Sequence, residues 1–353
     1  MSRQTPDPRR HDRLRQLPKV ELHRHLEGSL RLETLLEVAQ QRGLAAPVHS
    51  IEAMRTLVTM AGQRGDYRAY LDRFHTLRQF FRSLDVIWRF AYEAVADAAA
   101  DNVRYLELRF TPRALGEASG APYEAVTDCV CEAVARAAAD HGITARLIIS
   151  MNRHEAVEIG EAVTRVAVDR QSQGVVGLDI AGNEVEFPAR PFGSLLVQAQ
   201  QAGLGVTIHA GEWDGPQSVR DAIENWSAQR IGHGVRVMED PAVAQLAYER
   251  GVAFEICPTS NVQSGVARDI SSHPLRAMYR TGLRVTLNTD NTCVSDVTLS
   301  REMATVMEGL GFNLGDIRQM VRTAAESAFL PENERQALCA ELAGALAQLP
   351  DTV

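Results

Sequence analysis

The chain has 353 residues, 45% apolar and 23% charged, a composition that excludes a disordered or fibrous protein. With 45 acidic against 37 basic residues and a formal charge of -8, it has no basic stripe for a phosphate backbone, so nucleic acid is excluded as a partner. No apolar run approaches the roughly 18 residues of a membrane span, no signal-peptide core is present, and five scattered cysteines form no CxxC pair; reduced thiols, a cytoplasmic location and no membrane partner are expected.

In chain order, residues 1–16 are polar and arginine-rich and are expected to form a disordered leader ahead of one domain over residues 17–350. Short runs rich in Val, Ile and Leu follow, each trailed by helical periodicity, which is the pattern of repeated βα units. They predict strands at Val20–Leu26, Arg104–Phe110, Ala145–Met151, Val175–Ala181, Gly205–Ala210, Arg230–His233, Ala253–Cys257 and Arg284–Asn288. Alanine-rich stretches such as Ile87–Asn102 and Ala121–Asp140 read as crossover helices. Between the first two strands, about Thr34 to Asn102, lies a helical insertion bearing Tyr67, Tyr70, Phe74, Phe80 and Phe81; their spacing favours packing over a substrate lid. Eight strands without a linker or internal repeat predict a single (β/α)8 TIM barrel with a helical insertion after the first strand.

Nearly every chemically capable side chain falls at or just past the C-terminal end of a predicted strand, the end where barrels build active sites. His23 and His25 share one strand face. The fifth strand ends in His209-Ala-Gly-Glu212, the sixth in Gly-His233-Gly, and the eighth in Asn288-Thr-Asp290-Asn291. Three imidazoles and a carboxylate suit one Zn2+ per chain with a position left for water, and the absence of cysteine from the set disfavours a structural zinc. Glu212 stands where it could protonate a substrate nitrogen, or where it could merely cap a helix. His233 sits between Gly232 and Gly234, which would let a ligand approach closely, unless it is an ordinary core histidine. Lys19, the sole lysine, precedes the first strand; this excludes a carboxylated-lysine bridge between two metals and a G-x-x-x-x-G-K phosphate loop. Gly203-Leu-Gly205 precedes a strand and is no dinucleotide fingerprint.

As an ordered set, Pro-Lys-Val-Glu-Leu-His23-Arg-His25-Leu-Glu27-Gly-Ser, Leu-Asp-Ile-Ala-Gly182-Asn-Glu, His209-Ala-Gly-Glu212, Arg-Ile-Gly-His233-Gly and Leu-Asn-Thr-Asp290 resemble the adenosine deaminases over about Leu17 to Ser300. The resemblance implies that His23, His25, His209 and Asp290 hold zinc, that Glu212 protonates purine N1, and that His233 and Asp290 deprotonate and orient the attacking water. It also implies substrate contacts from His25, Glu27, Gly182 (at N3) and Asn291 (at N7), and hydrolysis of adenosine or 2′-deoxyadenosine to inosine or 2′-deoxyinosine and ammonia. Two positions differ from the usual pattern: Asn291 replaces a second aspartate, and Glu27 replaces an aspartate near the ribose 5′ position. With Arg24 beside it, Glu27 keeps 6-aminodeoxyfutalosine, an adenosine analogue with an aromatic acid at C5′, as the alternative substrate; Ile-Ala-Gly182 resembles the nucleoside enzymes more than those acting on adenine. A silent nucleoside-binding barrel would have lost part of this set, and every position is filled. Oligomeric state is not readable from the sequence.

Overall fold

A computed structural model describes residues 8–42 and 48–348 of the chain. Eight parallel strands follow one another around a single sheet: β1 (Lys19–His25), β2 (Val103–Phe110), β3 (Thr144–Asn152), β4 (Val175–Ala181), β5 (Gly205–His209), β6 (Arg230–Gly232), β7 (Ala253–Ile256) and β8 (Arg284–Leu287). The strands are buried on both faces because helices cover the outside, which is why they read as near-continuous apolar runs. The arrangement is the (β/α)8 barrel expected.

The barrel closes in an unusual place. β8 meets β1 beyond its own last residue: Asn288 Oδ1 accepts the Leu22 amide at 2.8 Å, the Asp290 amide donates to the His23 carbonyl at 2.9 Å, and the His25 amide donates to the Asp290 carbonyl at 2.8 Å. The seam is therefore built from the segments that carry His23, His25 and Asp290.

Two expectations are revised. The leader is not a tail throughout: Pro8–Gln16 forms helix α1, with Leu14 fully buried, while residues 1–7 lie outside the described residues. The insertion comprises α2 (Leu32–Arg42), α3 (Ile51–Val58), α4 (Tyr67–Arg78) and α5 (Leu84–Ala100). Ser50 and Asp66 cap α3 and α4 by accepting the Ala53 and Ala69 amides. Its aromatics divide: Phe80 and Phe81 are core, whereas Tyr70 and Phe74 line the cavity at the barrel mouth.

No described helix is long and apolar enough to cross a membrane. The five cysteines are unpaired.

Candidate active site

At the C-terminal mouth, the ligand atoms of His23, His25 and His209 all lie within 4.8 Å of one another. His25 Nε2 is 3.3 Å from His23 Nε2, and Asp290 Oδ1 stands 3.4 Å from the former and 3.5 Å from the latter. Two of the rings are oriented from behind. His23 Nδ1 donates to Glu255 Oε2 at 2.7 Å and His209 Nδ1 to Asp179 Oδ1 at 3.0 Å, so both rings turn an Nε2 lone pair toward the cluster. Burial holds His25 and His209 below their ordinary pKa, keeping them neutral. At His23, burial and Arg109 oppose charge, but Asp290 and Glu255 outweigh them and raise its pKa. Asp290, although buried, is held below the usual carboxylate range, chiefly by its hydrogen bonding with His23. Three imidazole nitrogens and one carboxylate oxygen converging in this space match the donor set of zinc.

Below this cluster the barrel is filled by charge. Arg109 reaches Asp179 (3.2 Å), Glu255 (2.7 Å) and the Leu22 carbonyl (2.6 Å). Arg230 reaches Glu255 (2.6 Å) and Glu107, and its guanidinium lies 3.5 Å over the Phe329 ring. Asp179 and Glu255 were not singled out from sequence, yet each was visible there as one acid inside an otherwise apolar strand run.

Glu212 lies past β5, fully buried. Desolvation, reinforced by Asp290 and Glu184, pushes its carboxyl well above the usual range, so it stays protonated. Its loop is held by Glu184, which accepts the consecutive amides of Gly211 (2.6 Å), Glu212 (3.0 Å), Trp213 (2.9 Å) and Asp214 (3.1 Å), as well as the Ser218 hydroxyl. Glu212 thus caps no helix through its side chain: the helix that follows, Pro216–Trp226, has no side-chain cap, and the loop before it is held by Glu184, the last residue of the Gly182-Asn-Glu motif.

His233 Nε2 faces Glu212 Oε1 at 3.7 Å. Its other nitrogen ends a relay whose direction is forced. The Leu275 amide donates to His273 Nδ1 (3.1 Å), so neutral His273, pushed down to about 3 by burial, carries its proton on Nε2 and gives it to Asn261 Oδ1 (3.1 Å). Asn261 must then present its NH2 to His233 Nδ1 (3.1 Å). Burial and nearby His23 keep His233 neutral, so its one proton sits on Nε2 and points into the site. An Nε2 that carries a proton can donate a hydrogen bond to a group in the cavity.

His233 and Asp290 both adopt left-handed backbone (φ 59° and 63°), a conformation that non-glycine residues hold only where surrounding packing imposes it. Gly232 leaves room for the histidine cluster: a Cβ there would stand 3.1 Å from His23 Cε1 and 3.2 Å from His209 Nδ1.

One cavity gathers His25, Glu27, Gly182, His209, Glu212, His233, Asp290 and Asn291, with Tyr70, Phe74, Arg78 and Trp213 around them. Glu27 Oε1 accepts the Thr111 amide (2.8 Å) and its buried Oε2 has no partner. Arg24 does not join them. It turns outward to Glu21 (2.5 Å) and the Ala94 carbonyl (3.3 Å). Asn291 Nδ2 donates to the Tyr70 hydroxyl at 3.1 Å, so an amide hydrogen expected for a substrate is committed to the protein. Tyr70 also stands 3.3 Å from Asp290 Oδ2, and Ser260 donates to that oxygen at 2.6 Å. Cys257 enters the surroundings of His23 and His233, but burial and Asp290 keep its thiol protonated, leaving the imidazoles as the better ligands.

A parallel barrel whose mouth assembles three imidazoles, an ionised aspartate and a protonated glutamate is that of an aminohydrolase. The chain belongs to the adenosine deaminase family, whose model matches residues 18–345. It is 33% identical over 327 residues to an adenosine deaminase from Shewanella loihica, covering 92% of this chain and 98% of the relative. Among solved structures it resembles an amidohydrolase from Burkholderia ambifaria with bound zinc (28% identity, TM-score 0.87, 98% and 94% of the two chains). It also resembles an adenine deaminase from Arthrobacter aurescens (25%, TM-score 0.86, 94% and 99%) and the N6-methyl-AMP deaminase from Arabidopsis thaliana (26%, TM-score 0.83, 95% and 98%).

Proposed function

We propose that the chain hydrolyses the 6-amino group of adenosine and 2′-deoxyadenosine, releasing ammonia and inosine or 2′-deoxyinosine. The observation that carries this reading is a buried carboxyl, Glu212, lining the same cavity as the imidazole–aspartate cluster and 3.7 Å from His233. A 6-aminopurine accepts a nucleophile at C6 only when the adjacent ring nitrogen gains a proton, and Glu212 is the acid that can give one. His23, His25, His209 and Asp290 would hold one zinc ion, which supplies a water of lowered pKa as the nucleophile.

The remaining steps belong to side chains. Asp290 takes the proton of the attacking water, and His233, donating from Nε2, steadies the negative charge growing on the oxygen added to C6. Glu212 delivers its proton to N1, the proton held by Asp290 passes to the departing nitrogen, and the remaining proton of the added hydroxyl returns to Glu212, so ammonia leaves as the C6 carbonyl forms. Gly182, Glu27 and Asn291 are placed for the purine and the sugar. The unpartnered Oε2 of Glu27 favours a nucleoside over free adenine, because a sugar hydroxyl can donate to it and a bare base has none. The second reading is a nucleoside extended at C5′, such as 6-aminodeoxyfutalosine or a nucleotide; the name of the Arabidopsis relative gives such a substrate for that protein.

Turnover of adenosine, 2′-deoxyadenosine, adenine, methylthioadenosine and aminodeoxyfutalosine tests this by absorbance change and ammonia release. Zinc-loaded protein inert toward all of them would refute deamination. In Glu212→Gln, metal content is retained and kcat falls by at least about 100-fold; undiminished turnover would remove Glu212 from the mechanism.

A further inference from the structure

We propose that Arg78 makes the cavity a site for an anionic group, carboxylate or phosphate, carried beyond the 5′ carbon of the substrate; this rests on the reading of the cavity as a 6-aminopurine nucleoside site. Helix α4 presents Tyr70, Leu71, Phe74 and Arg78 to the cavity, so successive turns of one helix face run along it. The Tyr70 hydroxyl touches Asp290, at the reacting end. At 1.5 Å per residue, Arg78 stands about 12 Å further along the helix axis. That separation carries the helix from the reacting carbon of a bound nucleoside to the region past its sugar.

The chemistry of the lining singles out Arg78. It is the one arginine among the residues around the cavity, and no lysine accompanies it. The carboxyl side chains there, Glu27, Glu212 and Asp290, supply no positive charge to an anion. Arg78 Nε is shut off from solvent with no acceptor, and among the described residues none of its guanidinium nitrogens has a partner. On the same helix, Arg73 is fully engaged, with Met60 Sδ, the Leu57 carbonyl and Gln63. Arg24 is engaged outside the barrel. A half-buried guanidinium without an acceptor lowers stability unless a ligand supplies one, and its planar fork fits a carboxylate or a phosphate.

The test compares wild-type, Arg78→Gln and Arg78→Lys proteins with adenosine, AMP and adenosine 5′-carboxylate. In wild type, each anionic substrate has a higher kcat/KM than adenosine, mainly through KM. In Arg78→Gln this ratio falls by about 10- to 100-fold, and Arg78→Lys restores part of it, keeping the charge without the fork. The phosphate and carboxylate arms show which anion is preferred. Calorimetric binding of the products inosine, IMP and inosine 5′-carboxylate reads Arg78 without turnover. An absence of deamination would refute the reading of the site while the binding ratio still judges Arg78. Equal ratios in wild type and Arg78→Gln, or no preference for either anion in wild type, would overturn the proposal.

Discussion

The proton on His233 is set by residues that never touch the cavity. Asn261 and His273 lie fully or almost fully buried, and their hydrogen bonds run one way from the Leu275 amide. Replacing Asn261 by aspartate keeps size and shape but offers only acceptors, so His233 would move its proton to Nδ1 and turn a lone pair to the site. If His233 acts as a donor, Asn261→Asp loses about 100- to 1000-fold in kcat at unchanged metal content. If it acts as a base, the same variant gains or keeps activity, so the sign of the change decides between the two.

Among the elements, strand ends were readable from sequence to within about a residue, because apolar runs between glycine and polar stops are what a doubly covered strand demands. The small differences have causes: β6 stops at Gly232 because His233 turns left-handed, and Asn288 leaves the β8 ladder to bind β1 through its side chain. All four proposed metal ligands and Glu212 could be found because they cluster at strand ends. The partners behind them could not. Glu255 lies 232 positions from His23 and Tyr70 lies 220 from Asp290, and a period of helix or strand carries no information across such a span. Which aromatics of α4 border the cavity was not readable for a related reason, since a face that packs on a cavity and one that packs on a core have the same spacing. Glu255 ties β1, β2 and β6 to β7 through His23, Arg109 and Arg230. Glu255→Gln leaves two buried guanidinium groups short of an anion and should cost about 3–5 kcal/mol in urea unfolding, whereas a surface pair such as Arg136–Asp140 should cost under about 1 kcal/mol. A change of under 1 kcal/mol for Glu255→Gln would show that the charged interior is not a structural keystone.

For the molecule as a whole, the ligand cluster and the closing seam coincide. An ion binding only the folded state adds stability of about 2.7 kcal/mol when it is present at 100 times its Kd. Chelation should therefore lower the thermal midpoint, and it should release the amides of His25 and Asp290 to faster hydrogen exchange before those of β3. Unchanged protection at these two amides after removal of the ion would separate metal binding from barrel closure.

The seam also joins the first strand of the barrel to the eighth. During synthesis the two histidines of β1 emerge early, but Asp290 follows only after seven further strands have been made. A nascent chain stopped anywhere short of that point holds an incomplete set of donors, so an ion held by all four would add its contribution only as the last joint is made, as the clasp of an otherwise finished ring.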